Sequence, residues 1–407
     1  MYLFSIIIFL LLNIFNTQSI EDDIGNTRYK RGIMKRGMKL KWTFPIKYYA
    51  EKEVNETNVD NALIKIMNNT CVLFQKVDKH NKTIGLRYFK GNGCWSSTGR
   101  VKYNRVQDIS LGNNCDMLYG AIQHATAHSL GLYHENTRYD AGGYLRIKTG
   151  NIEKGKENKF KKFLKNQSYV YDTQFDYGSL MLNSIYSFSK NGCQVVFPIK
   201  SDIYNSLIGQ RYSLSFNDYK VINKFYCDSK CNKDEKLECQ NGGYQNPLNC
   251  TTCKCPIGYK GKLCDEIEKS NNKKCGNSYI KLTNHTPVII KAKQKMKCNY
   301  LVTAKSGDKI KVKVVKVNTT LLPMCFHSLG LEIKYQSDKG ATGACFCGNY
   351  TNYIFISENH EVFIQYVGRS IKHYFEIRLE RIQNLKERQA IISKEQLSDK
   401  YIYDEKK

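Results

Sequence analysis

The hydrophobic pattern of the chain changes character several times along its length. Leu3 to Leu12 is almost continuously apolar, Asn13 interrupts it, and Thr17-Gln18-Ser19 supplies small residues suited to cleavage. So short a run reads as a secretory signal peptide over residues 1–19, although no Lys or Arg precedes it. No later stretch reaches the roughly 18 to 20 apolar residues of a membrane span. Lys41 to Ala50 then mixes aromatic and β-branched residues as a first strand does. Between Asn58 and Phe74, Val59, Leu63, Ile66 and Met67 recur at helical spacing ahead of Cys71 and predict an amphipathic helix. From Cys275 onward the pattern becomes short β-branched runs: Val288-Ile289-Ile290, Ile310 to Val315, Leu331-Glu332-Ile333 and Val362 to Tyr366. Regularly spaced short strands without helical stretches predict a β-sandwich. Residues 383–407 are charged and poor in aromatics, a solvated tail.

Composition narrows the class. A chain of 407 residues holds two or three domains, and 16 Cys beside 41% hydrophobic residues exclude a disordered or collagen-like protein. That many cysteines fit an oxidising compartment, so the mature protein is expected to be secreted and extracellular. N-x-S/T sequons at Asn55, Asn68, Asn81, Asn166, Asn249, Asn284, Asn318 and Asn349 agree with glycosylation in a secretory pathway. Lys+Arg 63 against Asp+Glu 37 gives 63 − 37 = +26. Without a Cys/His finger, an RNP-type motif or a basic helix, that excess does not point to nucleic acid. It reads as charge on solvated faces, with binding to an extracellular polyanion as the alternative. Near the start, Arg28-Tyr29-Lys30-Arg31 followed by Gly32 suggests a convertase cut that makes residues 20–31 a short propeptide. The alternative is a basic linker.

The strongest chemical signal is His124-Ala125-Thr126-Ala127-His128-Ser129-Leu130-Gly131-Leu132-Tyr133-His134. On a helix, positions i and i+4 share one face, so His124 and His128 can present ring nitrogens to one ion. Gly131 can take the left-handed turn that ends the helix and returns His134 to the same ion. Three neutral imidazoles with an open fourth position form a catalytic rather than a structural zinc site.

The motif resembles that of the astacin family of metzincin zinc endopeptidases, H-E-x-x-H-x-x-G-x-x-H-E-x-x-R-x-D. His134-Glu135-Asn136-Thr137-Arg138-Tyr139-Asp140 carries its tail. Gly93-Cys94-Trp95-Ser96 and Ile109-Ser110-Leu111-Gly112 look like the family's disulfide loop and cleft-lining edge strand. Phe175 to Met181 looks like the lead into the methionine turn, with Met181 beneath the zinc. Ile208-Gly209-Gln210-Arg211, Leu214 to Asp218 and Phe225-Tyr226-Cys227 resemble the domain end. The resemblance implies an α+β peptidase domain over residues 32–228, one Zn2+ per chain on His124, His128 and His134, and a protein or peptide ligand in the cleft. Glu135 then pairs with the amino terminus released by propeptide cleavage.

Two positions depart from the family. Ala125 stands where the general-base Glu belongs, and Met181-Leu182-Asn183 puts Asn183 where the oxyanion Tyr belongs. The family's inhibitory aspartate segment is also missing between Ile20 and Arg31, where Asp22 and Asp23 are the candidates to stand in. The expectation is a zinc-bearing pseudopeptidase with no intact catalytic residue. An active zinc endopeptidase and an extracellular adhesion or polyanion-binding protein are the alternatives.

The cysteines carry the rest of the resemblance. In the peptidase region it implies the pairs Cys71–Cys227 and Cys94–Cys115. Six cysteines around Asn241-Gly242-Gly243 resemble an EGF module over 229–265, which implies Cys231–Cys250, Cys239–Cys253 and Cys255–Cys264. The sandwich resembles a CUB domain over 275–382, which implies Cys275–Cys298 and Cys325–Cys347. Phe326-His327-Ser328 stand where many CUB domains place calcium-binding acids, so calcium is not implied. Cys193 and Cys345 are left over, and a bridge between them is arithmetic only.

Overall fold

The computed structural model describes residues 33–34, 41–78, 84–101, 105–232 and 236–383. The signal peptide, the propeptide, the sequon at Asn81 and the tail beyond residue 383 lie outside the described residues. The chain forms two compact units. One is Met1–Asp265 with Pro323–Phe326 and Gly340–Thr342, and the other is Glu266–Leu322 with His327–Lys339 and Gly343–Lys407.

The first unit is built on a five-stranded sheet of β1 (Ile46–Ala50), β2 (Phe74–Lys76), β3 (Gly85–Phe89), β4 (Cys94–Ser96) and β5 (Gln107–Leu111), in the order β2-β1-β3-β5-β4. β1, β2, β3 and β5 run parallel, and β4 returns antiparallel along β5. Here the structure corrects the sequence reading. The strand containing Ile109 to Leu111 is internal, and the short β4 with Cys94 forms the edge. The Cys94–Cys115 bridge holds the chain on both sides of β5, so β4 folds back onto the side that would otherwise be open. The first strand is also shorter than its sequence pattern. It starts at Ile46, while Trp42 is buried in the core and donates its indole N–H to the Ser129 carbonyl at 2.8 Å.

Helix α1 (Glu56–Met67) buries Val59, Ala62, Leu63 and Ile66 on one face. The Asn55 side chain caps its start by accepting from the Asn58 N–H. It stops short of Phe74, where the Asn69 and Thr70 side chains turn back onto the Lys65 and Ile66 carbonyls of the last turn. Helix α2 (Tyr119–Ser129) packs on α1 and on the sheet, and helix α3 (Phe216–Tyr226) closes the core beneath it with Tyr219 and Ile222. The Cys71–Cys227 bridge ties α3 to the end of α1 across 156 residues, a closure worth about 5 kcal/mol in the chain-entropy account. After α3, Cys231–Cys250, Cys239–Cys253 and Cys255–Cys264 staple a stretch too short to bury a core of its own.

The second unit is a two-sheet sandwich. One sheet orders β6 (Tyr279–Lys281), β8 (Met296–Thr303), β13 (Glu361–Gly368), β10 (Gly330–Lys334) and β11 (Ala344–Phe346). The other orders β7 (Val288–Lys293), β14 (Tyr374–Ile382), β9 (Lys309–Asn318) and β12 (Asn349–Ile356). Ile310, Val312 and Val314 of β9 and Phe375, Ile377 and Leu379 of β14 are buried at alternate positions, the period-2 signature of one covered face. Cys275–Cys298 bridges the start of this unit to β8, and Cys325 and Cys347 are both oxidised. Neither Cys193 nor Cys345 forms a disulfide, so the arithmetic pairing of those two is not made.

Candidate metal centre

Every residue of α2 from Gly120 to Ser129 is buried, so the helix has no solvent face and its end groups need protein partners. They have them. Gly99 N–H and Gly131 N–H reach the His128 carbonyl, Leu132 N–H reaches Ala127, and Tyr226 Oη–H reaches Leu130 at 2.8 Å. Along the helix the Tyr88 and Thr126 hydroxyls share a hydrogen bond of 2.9 Å, which fixes its rotation over the sheet. At its start, a Cβ on Gly120 would sit 1.9 Å from the Arg211 carbonyl oxygen, so only glycine allows that approach. At its end Gly131 has φ +105°, a conformation that side chains disfavour, and the reversal brings His134 back over the helix.

The result is a triangle of nitrogens. His124 Nε2 and His128 Nε2 are 3.0 Å apart, and His134 Nε2 lies 3.2 Å from His128 and 3.3 Å from His124. His124 Nδ1 donates to the Leu180 carbonyl at 2.9 Å and His128 Nδ1 to the Leu132 carbonyl at 2.7 Å. A carbonyl has no proton to give, so each Nδ1 carries the hydrogen and each Nε2 keeps its lone pair for the centre. Burial, the Arg211 guanidinium and the two neighbouring imidazoles hold His124 well below the usual histidine range, which keeps it neutral. Bare lone pairs at this spacing repel one another, and a central cation removes the conflict. An ion about 2.0 to 2.1 Å from three tetrahedral ligands separates them by about 3.3 Å, close to the triangle observed. The donor set fits zinc, and among the described residues it is the one group of His, Cys or carboxylate side chains so gathered. Zinc held by these three imidazoles would supply Lewis-acid chemistry to the site.

The floor of the site is set from a distance in sequence. Met181 is buried, and its carbonyl accepts from the Glu135 N–H at 2.8 Å, one residue beyond the third ligand. Asp218, in the first turn of α3, accepts from Ser179 Oγ at 2.7 Å and from the Leu180 N–H at 2.9 Å, while closing the helix's capping box with Ser215. Burial and the nearby Asp176 carboxylate push Asp218 up to about 6, so at neutral pH it accepts these bonds as a carboxylate. Arg211 Nη1 donates to the Leu180 and Leu182 carbonyls, both at 3.2 Å. The Leu180 carbonyl therefore takes one bond from His124 and one from Arg211. Asp218→Ala removes the cap and the tether together, and the expected loss is about 1 to 3 kcal/mol of stability, read as a lower Tm. Unchanged Tm and unchanged zinc retention would remove Asp218 from this supporting role.

Both Arg211 and Asp218 stand in the motif that marks the domain end, but nothing in their spacing tells that they fold back beneath the ligands. Glu135, by contrast, is accounted for by local partners. Its Oε1 accepts from the Asp176 N–H at 3.0 Å and from Arg138 Nη1 at 3.2 Å, and Arg138 also forks onto both Asp140 oxygens. Burial pushes Glu135 up to about 8 despite the Arg138 charge. It lines a cavity of about 50 Å³ with His134, Ser168, Tyr169, Met181 and Asp218. Ile33–Met34 pairs antiparallel with Ser168–Tyr169 beside that cavity.

At the two positions that depart from the family pattern, Ala125 is 1% exposed and Asn183 is 4% exposed. Ala125, one residue after His124 on the helix, presents only a methyl group, and the Asn183 Nδ2 donor has no hydrogen-bond partner among the described residues. The site can bind a metal ion and a ligand that completes its coordination, but no side chain from position 125 can take a proton there.

The family model Astacin, which describes a peptidase family, matches residues 34–227. Zinc metalloproteinase nas-34 of Caenorhabditis elegans is 35% identical over 333 residues, covering 81% of this chain and 54% of that protein. High choriolytic enzyme 1, a hatching-enzyme zinc-protease of Oryzias latipes, aligns at 28% identity and TM-score 0.42, covering 47% of this chain and 96% of that one. The MASP-1 CUB2 domain aligns at 13% identity and TM-score 0.21, covering 25% of this chain and 96% of that one. The chain spans about half the length of the curated relatives it matches. With the three histidines of its zinc motif meeting at one point, the matched region belongs to the astacin family of zinc metallopeptidases.

Proposed function

We propose that this chain is a secreted, zinc-holding astacin homologue that has lost peptidase chemistry and acts by binding a protein or peptide in its cleft. The observation that carries the reading is Ala125, a buried methyl one residue after the ligand His124. Peptide hydrolysis needs a base that removes a proton from the attacking water and returns it to the leaving amine, and a methyl group does neither. Losing a general base costs on the order of 10² to 10⁴ in rate, and losing an oxyanion donor about 10² to 10³ more. Glu135 does not substitute, because its Oε1 is already held by Arg138 and the Asp176 N–H. The modules proposed for residues 229–265 and 275–382, EGF-like and CUB-like, add contacts for extracellular partners. The test is zinc-dependent cleavage of denatured protein or long peptides, with a chelated sample and a His128→Ala variant as controls. No cleavage above these controls is expected. Robust, chelator-sensitive cleavage that the His128→Ala variant lacks would overturn the proposal.

Maturation is part of the same reading. A cut after Arg31 frees an amino terminus at Gly32, one residue before the Ile33–Met34 pairing with Ser168–Tyr169. Ser168, Tyr169 and Glu135 line one cavity, which supports a contact between that terminus and the Glu135 side chain. Amino-terminal sequencing of protein from a secretory host is expected to begin at Gly32. A start at Ile20 would remove both the propeptide and the Glu135 contact.

A further inference from the structure

We infer that the solvent-facing side of the β7-β14-β9-β12 sheet is a binding site for a linear sulfated polysaccharide. Residues directly opposite one another in an antiparallel sheet share a face, so the register defines this surface. Lys291 lies opposite Glu376, which lies opposite Lys316. Ile289 lies opposite Arg378, which lies opposite Lys313, while Lys311 faces Glu380 and Lys293 faces Tyr374. The alternate positions, among them Ile290, Ala292, Val312, Val314, Ile377 and Leu379, are buried between the sheets. The outward face therefore carries Lys291, Lys293, Lys309, Lys311, Lys313, Lys316 and Arg378 against Glu376 and Glu380, a net charge of +5.

The two carboxylates are already committed. Glu380 meets Lys311 at 3.6 Å and Arg378 at 2.6 Å, and Glu376 meets Lys316 at 3.5 Å. Lys291, Lys293 and Lys313 reach no carboxylate among the described residues, and Lys313 stands directly opposite another cation, Arg378. Like charges at directly opposed positions weaken a sheet, so this arrangement costs the sandwich stability that a mixed-sign face would keep. An anionic ligand laid across the strands recovers it.

The lattice favours a regular polymer. Lys313 and Arg378 lie about 5 Å apart across strands, and the outward lysines of one strand, Lys291 and Lys293 or Lys311 and Lys313, lie about 7 Å apart along it. A chain of repeating sulfates meets such a surface by charge alone, whereas an acidic peptide relies on pockets for its side chains. Lysines dominate, which suits flexible point contacts rather than forked recognition of one carboxylate or phosphate. The site does not depend on the zinc cleft, so chelating the metal leaves its binding unchanged.

The test uses full-length mature protein, enzymatically deglycosylated because the sequons Asn318 and Asn349 face each other at the end of this sheet. Binding to surface-immobilised heparan sulfate is measured at about 0.15 M ionic strength, where screening leaves only close contacts effective. The triple variant Lys291→Glu, Lys313→Glu, Lys316→Glu is expected to bind at least about tenfold more weakly, since each reversal replaces an attraction with a repulsion. A Lys→Gln triple, milder in its effect on folding, is expected to fall in the same direction. Lys154→Glu, Lys161→Glu, Lys165→Glu makes the same charge change on the peptidase unit and is expected to shift binding less than about threefold. Wild-type binding by the sheet variants, or an equal loss in the peptidase-unit variant, would overturn the site. Equal binding of an unsulfated polysaccharide, or equal competition by polyglutamate at matched charge, would overturn the ligand class.

Discussion

Mature protein carrying His128→Ala is expected to emerge from dialysis without zinc, whereas the wild type retains close to one ion per chain. The middle histidine is the informative one. Its Nε2 is 3.0 and 3.2 Å from the other two, and its Nδ1–H is anchored on the Leu132 carbonyl, so it makes the two shortest of the three edges of the ligand triangle. Removing a supporting partner of a metal ligand already costs about 10- to 100-fold in affinity, so removing the ligand itself should exceed a hundredfold. Two imidazoles remain, and the cavity left by the third cannot replace it with water at comparable strength. Folding stability should report the same event independently of activity. A ligand that binds only the native state at 1,000 times its Kd adds about 4 kcal/mol, so chelation should lower the Tm of the wild type. It should leave the Tm of His128→Ala unmoved. Correctly folded wild-type protein that retains no zinc, or a variant that retains it fully, would remove the ligand assignment.

The site and the fold were not equally open to sequence reading, and particular residues show why. His124, His128 and His134 are legible because a helical period of 3.6 converts spacing into position, and one glycine accounts for the reversal. The sandwich is legible for the corresponding reason, since alternate residues of β9 and β14 face the core. Strand order is a different matter. Whether β4 or β5 forms the sheet edge depends on how hydrogen bonds close between strands, and no local pattern encodes it. The same holds for Asp218, which reaches back 39 residues to Ser179, and for Arg211, which reaches back 31 residues to Leu180. Their chemistry is ordinary in the sequence and becomes specific only once α3 lies under the metal loop. The Asn183 amide illustrates the reverse case. Its departure from the family is plain in the sequence, but its buried donor, without a partner among the described residues, emerges only in three dimensions.

The largest gain of function should come from restoring both missing groups in one chain. Ala125→Glu returns a carboxylate to the helix turn between the two ligands, and Asn183→Tyr returns a hydroxyl to the segment after Met181. The base should matter more, because without it the leaving amine has no proton source, while the hydroxyl adds a hydrogen bond to charge that develops later. The double variant is expected to cleave long peptides at least about 10² faster than the wild type, if the two contributions are even partly recovered. Ala125→Glu alone should recover more than Asn183→Tyr alone, and all gain should vanish on chelation. Position 125 is 1% exposed, so the new carboxylate needs a hydrogen-bond partner within the site to offset its burial. That requirement separates two outcomes that a simple activity assay would merge. If the double variant folds, holds one zinc and cleaves, the cleft has kept its substrate geometry and the wild type is an intact binding site without chemistry. If it folds and holds zinc yet cleaves nothing, the cleft has changed along with its catalytic groups, and the peptidase unit serves as a folded spacer for the modules that follow it.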